Sequence, residues 1–414
     1  MMNANPVIAL FLALGLMILA ARTAGALARR FDQPRVLGEL LVGVALGPTL
    51  LDILHSSGLG LNQAHLEETI HELAELGVLL LMFKIGLEVR LKELLLVGRV
   101  ALIAGVIGAA LPVLFTLPAV LVFGQTWQAG LFAGVALAAT SVSISAQVLL
   151  EIGMLQTREG SALLATAVVD DVVAILLLSF AAAFTSAGGT VELGALLWIL
   201  ARMLLFIGAA LALAWFVLPR LLHWIHGQPH LAHSYGVAAF ALILALLFGW
   251  AAERFGGVAA ITGAFIAGVG LAQTREKVKR QFEDAIANIA YAFLVPIFFV
   301  SVGLAVNLRQ FPLAGIPLAG LLLLAAVASK LIGVTLGARW GGFAPAPAFR
   351  LSVCMISRGE VGLIIAAFGL ERGVFPPDQP VFAALFVVIL LTTVLTPPLV
   401  RYVYRAQPRP GVAG

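Results

Sequence analysis

The sequence predicts an all-α polytopic membrane protein, and three observations carry that reading. Of its 414 residues, 61% are hydrophobic and 11% charged, a balance far outside that of soluble globular domains. The apolar residues gather into thirteen stretches, each near or above the roughly 20 residues that cross about 30 Å of hydrocarbon. The basic residues collect after alternate stretches.

The stretches run at roughly 6 to 27, 36 to 54, 70 to 88, 98 to 123, 127 to 150, 160 to 184, 193 to 218, 233 to 254, 257 to 273, 285 to 305, 313 to 338, 346 to 370 and 379 to 403. The longest polar loops are expected at about 55 to 69 and 219 to 232. Of the 25 Lys and Arg residues, eighteen follow odd-numbered stretches, among them Arg22, Arg29, Arg30 and Arg35 after the first. Three follow even-numbered ones: Arg254, Arg309 and Arg372. Cytoplasmic loops are enriched in Lys and Arg, so the N-terminus is predicted outside and the C-terminus inside, which requires an odd number of spans. The first stretch has no basic segment before it and is expected to be a retained helix, not a cleaved signal. A short disordered cytoplasmic tail is expected from 406 to 414.

Other functional classes find little support. The single cysteine, Cys354, allows no intrachain disulfide. Gly58 and Gly60 make a lone GxG, but Gln63 stands where a third glycine belongs and no strand precedes it, so no nucleotide site is expected. The net charge of +4 belongs to the loops and gives no sign of nucleic-acid binding.

Two spans are interrupted. The fifth contains Ala139-Thr140-Ser141-Val142-Ser143-Ile144-Ser145, and the twelfth contains Ile356-Ser357-Arg358-Gly359-Glu360. Interruptions in corresponding halves of a membrane chain point to two discontinuous helices of an inverted repeat, whose freed backbone groups and half-helix ends bind ions near the midplane. The plainer alternative is that the hydroxyls bond back to their own helices and the glycine aids packing.

Asp170 and Asp171 stand side by side in the sixth span, about ten residues and so about 15 Å from its start. Ionised groups at that depth usually face a cavity and mark an ion or proton pathway. Neighbours on a helix point about 100° apart, so the two carboxylates cannot share every partner. Lys330, the only basic residue of the eleventh span, is the natural partner for one of them. A cation arriving at the carboxylates would deprive the ammonium of its partner and let it release a proton; the alternative is a static salt bridge. Arg358 and Glu360 are expected to cap exposed half-helix ends, Glu360 towards amides and Arg358 towards carbonyls. Lys84 is expected to snorkel towards the cytoplasmic surface and pair with Glu88 at i+4, or else to modulate an inner cavity. His223, His226, His230 and His233 read as solvated loop histidines, since Gly227 and Pro229 break any common face, and no metal site is expected.

An intramembrane aspartyl protease fits poorly, because it must bring two carboxylates from separate helices to one bond. A passive channel would lack coupled proton movement. The chain is therefore expected to be a transporter and not an enzyme.

Several segments together resemble family 2 of the monovalent cation:proton antiporters, which includes the NapA-like sodium/proton antiporters and the Kef potassium/proton antiporters. They are Gln33-Pro34-Arg35-Val36-Leu37-Gly38-Glu39-Leu40, Gly47-Pro48, Ile85-Gly86-Leu87-Glu88, Ala139-Thr140-Ser141, Val169-Asp170-Asp171, Pro296-Ile297-Phe298-Phe299 and Arg358-Gly359-Glu360-Val361-Gly362. The resemblance covers nearly the whole chain. It implies an antiporter fold with a dimerisation bundle at about 6–90 and 233–305, a linker helix at 193–218 and a core transport bundle at about 98–184 and 313–403. It further implies a homodimer in the cytoplasmic (inner) membrane, with an elevator-type core. Asp171 would match the cation and proton carboxylate, Asp170 the carboxylate bonded to Lys330, and Thr140 and Ser141 the neighbouring cation-site groups. Paired aspartates imply electrogenic exchange of Na⁺ or Li⁺ for H⁺ with no cofactor. The Kef type, which carries Gln-Asp and a nucleotide-binding domain, is the alternative, with K⁺ as cargo. Lys84 departs from the family, which usually has an apolar residue there.

Overall fold

Backbone amides and carbonyls in hydrocarbon have no water to bond, so a spanning chain must satisfy them within its own helices. The computed structural model does this: its described residues form helices and no strands. The structure describes residues 6–55, 65–89, 94, 96–185, 193–233, 235–305, 307, 309, 311, 313–375, 380–405 and 407. The Gly58-Gly60 segment and all of the tail except Gln407 lie outside them.

In chain order the helices are α1 (Pro6–Arg30), α2 (Arg35–Leu46), α3 (Leu66–Glu88), α4 (Gly98–Val122), α5 (Trp127–Ala138), α6 (Val142–Glu151), α7 (Arg158–Thr185), α8 (Leu193–Phe216) and α9 (Leu218–His226). They continue with α10 (Pro229–Ala232), α11 (Gly236–Ala251), α12 (Ala260–Leu271), α13 (Glu276–Ile289), α14 (Val295–Leu304), α15 (Ile316–Trp340), α16 (Pro345–Cys354), α17 (Glu360–Glu371) and α18 (Val381–Tyr404).

Local chemistry sets their ends. Thr126 caps α5 by accepting the Ala129 amide at 3.2 Å. Proline opens α9, α14, α15 and α16 in the first turn, where its missing N–H costs nothing. The short helices α6 and α17 stop in the same way. Gly153 and Gly373 adopt φ +74° and +70°, and each following residue donates back, Met154 to Leu149 at 2.8 Å and Val374 to Gly369 at 2.9 Å. Only glycine adopts this left-handed stop without strain.

The chain divides into two units. The first holds Met1–Arg90, Ile207–Arg254 and Ala259–Gln310. In it α2 packs on α1 and α14, and α3 packs on α12 and α14, around a core that includes Met17, Ile70, Ile297 and Val300. The second holds Leu91–Phe206, Phe255–Val258 and Phe311–Gly414. In it α4 lies along α15 and packs on α5 and α7. Its core centres on Phe132, fully buried, with Phe368 at 6.3 Å and Phe375 edge-on at 6.4 Å. Helix α8 is shared, its residues up to Phe206 in the second unit and those from Ile207 in the first.

Among the described residues nine helical runs are long and apolar enough to cross a membrane, with α5 and α6, α8 and α9, and α13 and α14 each taken as one run, and they match nine of the thirteen stretches. The other four differ in form. The second and ninth are twelve-residue helices, α2 and α12. The third is α3, of 23 residues and carrying several charges, and the twelfth is two half-helices, α16 and α17. Two segments read as loops are helical. In 219 to 232, α9 buries Leu218, Leu222 and Ile225, and before the tenth stretch α13 buries Val278, Phe282 and Ile286. Their apolar residues recur every three or four positions among charges, a pattern that mean polarity conceals.

Truncating Phe132 to Ala removes the ring that joins Phe368 and Phe375, and surrounding helices cannot collapse fully into the void. The expected loss is about 3 to 5 kcal/mol, read as a lowered midpoint of thermal unfolding in detergent.

Candidate cation-binding site

Both interrupted spans of the second unit are broken, and the breaks meet. Residues 139–141 separate α5 from α6, and residues 355–359 separate α16 from α17. The Ser141 amide donates to the Ser357 carbonyl at 3.0 Å, and Ser357 Oγ donates to the Ser141 carbonyl at 2.7 Å. Ser145 Oγ donates to the Cys354 carbonyl, the last of α16, at 2.6 Å. A side-chain carbon at Gly359 would lie 2.7 Å from Ser141 Cβ, so the two chains approach this closely only with glycine there. Thr140 is buried, with Oγ1 3.5 Å from the Ala138 carbonyl.

Half-helix ends carry unpaired backbone groups and partial charge. Arg358, fully buried, serves the carbonyl side: its guanidinium donates to Met355 O at the end of α16 and to Ala326 O of α15, both at 3.0 Å. Thr393 Oγ1 of α18 bonds the Arg358 carbonyl. The side chain of Glu360 lies outside the described residues.

Beside the crossing, α7 presents the two aspartates differently. Asp170 is buried, and its Oδ1 accepts from Lys330 Nζ at 2.8 Å, with the two side chains 1% and 0% exposed. Asp171, one residue on, is half-buried. Lys330 also interacts electrostatically with Asp171 and Arg358. Desolvating one carboxylate and one ammonium costs several kcal/mol per ion unless they meet in good geometry, so each holds the other in place.

The first unit holds Lys84 and Glu88. Lys84 Nζ meets Glu88 Oε1 at 2.6 Å, as the i+4 spacing predicts. It does not snorkel: the residue is buried, and Glu283 Oε1 of α13 closes on the same nitrogen at 2.5 Å. Lys279 stands 3.8 Å from the other Glu283 oxygen. Glu283 escaped the sequence reading because α13 passed for a loop, although its i+4 spacing from Lys279 was a signal. Ser357 and Thr393 also stand out only in the structure, where a hydroxyl next to a chain break finds a backbone partner. His223 and His226 end α9, while His230 and His233 follow the turn at Gly227.

Two discontinuous helices that cross beside intramembrane carboxylates define the architecture of a secondary transporter. The family described as sodium/hydrogen exchanger, transmembrane, matches residues 17–402. The Na⁺/H⁺-K⁺ antiporter GerN of Bacillus cereus is 36% identical over 403 residues, covering 96% of this chain and 97% of GerN. A Na⁺/H⁺ antiporter of Enterococcus hirae is 34% identical over 393 residues, covering 95% and 97%. The structure of the sodium proton antiporter MjNhaP1 from Methanocaldococcus jannaschii superposes with a TM-score of 0.70 at 16% identity, covering 97% of this chain and 98% of that one, and so shares the fold. The chain belongs to the sodium/hydrogen exchanger family and is a multi-pass membrane protein.

The capping role of Arg358 predicts a stability defect. Arg358→Met takes the guanidinium donor from the Met355 carbonyl, at about 1 to 3 kcal/mol, while the Ala326 carbonyl keeps the Ser329 hydroxyl at 3.1 Å, and the thermal midpoint in detergent falls accordingly. Arg358→Lys, which keeps the charge but not the fork, falls between wild type and Arg358→Met.

Proposed function

We propose that the protein is a secondary active antiporter that exchanges Na⁺ or Li⁺ for protons electrogenically, by alternating access. The observation that carries this reading is the division of the aspartate pair: Asp170 held by Lys330 at 2.8 Å, Asp171 half-buried beside the crossing of two broken helices. Asp171 is the carboxylate that cation and proton share in turn. Thr140 and Ser141, at the break, offer the hydroxyl and carbonyl oxygens that a hard monovalent cation prefers. When a cation sits at the aspartates it competes with the Lys330 ammonium for Asp170, and the ammonium releases its proton. Competition for one pair of carboxylates couples the two fluxes without both ions binding at once.

The wider frame belongs to the same reading. Thirteen helices, with the N-terminus outside and the C-terminus inside, keep the basic loops cytoplasmic. The bundle at about 98–184 and 313–403 is the moving core, that at 6–90 and 233–305 the dimerisation bundle, with 193–218 as linker. The working form is a homodimer in the cytoplasmic membrane, and no cofactor takes part. Lys84 and Glu88, tied to Glu283, fix α3 to α13 within the dimerisation bundle. One finding favours a second cargo: GerN, the relative at 36% identity, bears K⁺ in its name beside Na⁺.

In proteoliposomes, an inward Na⁺ gradient is expected to drive proton efflux, read by an internal pH dye, and Asp171→Asn to abolish it; unchanged exchange in that variant refutes the carrier assignment. A panel of Na⁺, Li⁺ and K⁺ at clamped voltage decides the cargo. Lys330→Gln is expected to reduce the charge moved per cation, whereas charge movement equal to wild type assigns Lys330 to a static salt bridge.

A further inference from the structure

Asp170 spends only one of its oxygens on Lys330. Its Oδ2 is buried and has no hydrogen-bond partner, and neither has Oγ1 of Thr166, one helical turn earlier on α7. Residues four apart on a helix stack on one face, about 6 Å apart at Cβ, so both groups project on the side where Lys330 stands. Thr166 is 0% exposed and Asp170 1%. The Lys330 ammonium has three N–H groups and spends one on Asp170 Oδ1. Helix α4 packs closely here through glycine: a side-chain carbon at Gly108 would meet Val334 Cγ2 at 2.7 Å and Lys330 Nζ at 3.9 Å, and one at Gly105 would meet Val169 Cγ1 at 2.7 Å and the Thr166 carbonyl at 3.3 Å. Buried polar atoms of this kind are rarely left unpaired, and the usual partner is an ordered water.

We propose that Thr166, Asp170 Oδ2 and Lys330 hold a buried water molecule, and that this water relays a proton between Lys330 and Asp170. The donor set selects the occupant. Lys330 supplies spare N–H donors, Asp170 Oδ2 a spare acceptor, and the Thr166 hydroxyl serves as either. A molecule that accepts from the ammonium and donates to the carboxylate fits; a metal cation accepts no hydrogen bond and is repelled by Lys330 and by Arg358, whose charge also acts on Asp170. In the relay a proton passes from Lys330 Nζ to the water as the water gives one of its own to Asp170 Oδ2, leaving a neutral amine and a neutral acid, while the Thr166 hydroxyl holds the water in line. The water gains one proton and loses one. Thr166 thereby becomes a positioning residue of the exchange site, acting through the water and not on the cation.

The inference rests on the antiport reading, and its test is separable from it. Infrared difference spectra of the Na⁺-free and Na⁺-bound protein, taken in H₂¹⁶O and H₂¹⁸O, read the water directly, whether or not the protein transports. An ¹⁸O-sensitive O–H band is expected in wild type and Thr166→Ser and absent in Thr166→Val, which puts a methyl group in place of the hydroxyl. Loss of one neutral hydrogen bond from the relay predicts a roughly two- to tenfold slower turnover in Thr166→Val, with the KM for Na⁺ unchanged and recovery in Thr166→Ser. A band that persists in Thr166→Val, no such band in wild type, or wild-type turnover in Thr166→Val overturns the proposal. Failure of Na⁺-driven exchange in wild type would instead overturn the antiport reading.

Discussion

Everything in the second unit depends on how two breaks in transmembrane helices are tolerated where no water is available to heal them. Each break frees amides and carbonyls at several kcal/mol apiece, and the chain answers by crossing the breaks so that they satisfy one another. The pair of bonds between Ser141 and Ser357, the Ser145 hydroxyl on Cys354 and the Arg358 fork on Met355 and Ala326 form a single network. None of these groups could be removed singly without leaving another unpaired. The crossing thus fixes the half-helix ends and their buried oxygens in the interior of the unit, and the proposed function places the cation beside them.

Asp170, Asp171 and Lys330 take their meaning from that patch. A buried ammonium and carboxylate 2.8 Å apart form a stable pair only while nothing competes for the carboxylate. In the proposed cycle the cation is that competitor, so the energy stored in the ion pair becomes the coupling between cation and proton. In that cycle the half-buried Asp171 is the proposed point of exchange, beside the crossing. Preorganised dipoles at the half-helix ends spare the site the cost of reordering itself at each turnover.

Much of this was legible in the residues. Charged and hydroxyl groups in apolar spans are so costly that Asp170, Asp171, Lys330 and Arg358 announced themselves, and geometry brought Asp170 to Lys330 and Arg358 to carbonyls as expected. The i+4 rule foresaw the Lys84–Glu88 pair. Less was legible where polarity averaged over a segment hid its period: α9 and α13 passed for loops, and Glu283 was missed with α13, so the enclosed ammonium of Lys84 read as one reaching for water. Short helices such as α2 and α12 were drawn too long because apolar loops adjoin them. Thr393 could not be told from other helical hydroxyls, since its partner, the Arg358 carbonyl, lies at the break before α17, 35 residues away in sequence.

The central claim is that cation and proton compete for the same carboxylates, and a calorimetric titration of Na⁺ into the detergent-solubilised protein tests it most directly. Run in buffers of different ionisation enthalpy, the titration counts the protons set free for each Na⁺ bound. The account predicts proton release that accompanies Na⁺ binding in wild type and vanishes together with binding in Asp171→Asn. Na⁺ binding without proton release, or release that survives in Asp171→Asn, would contradict it.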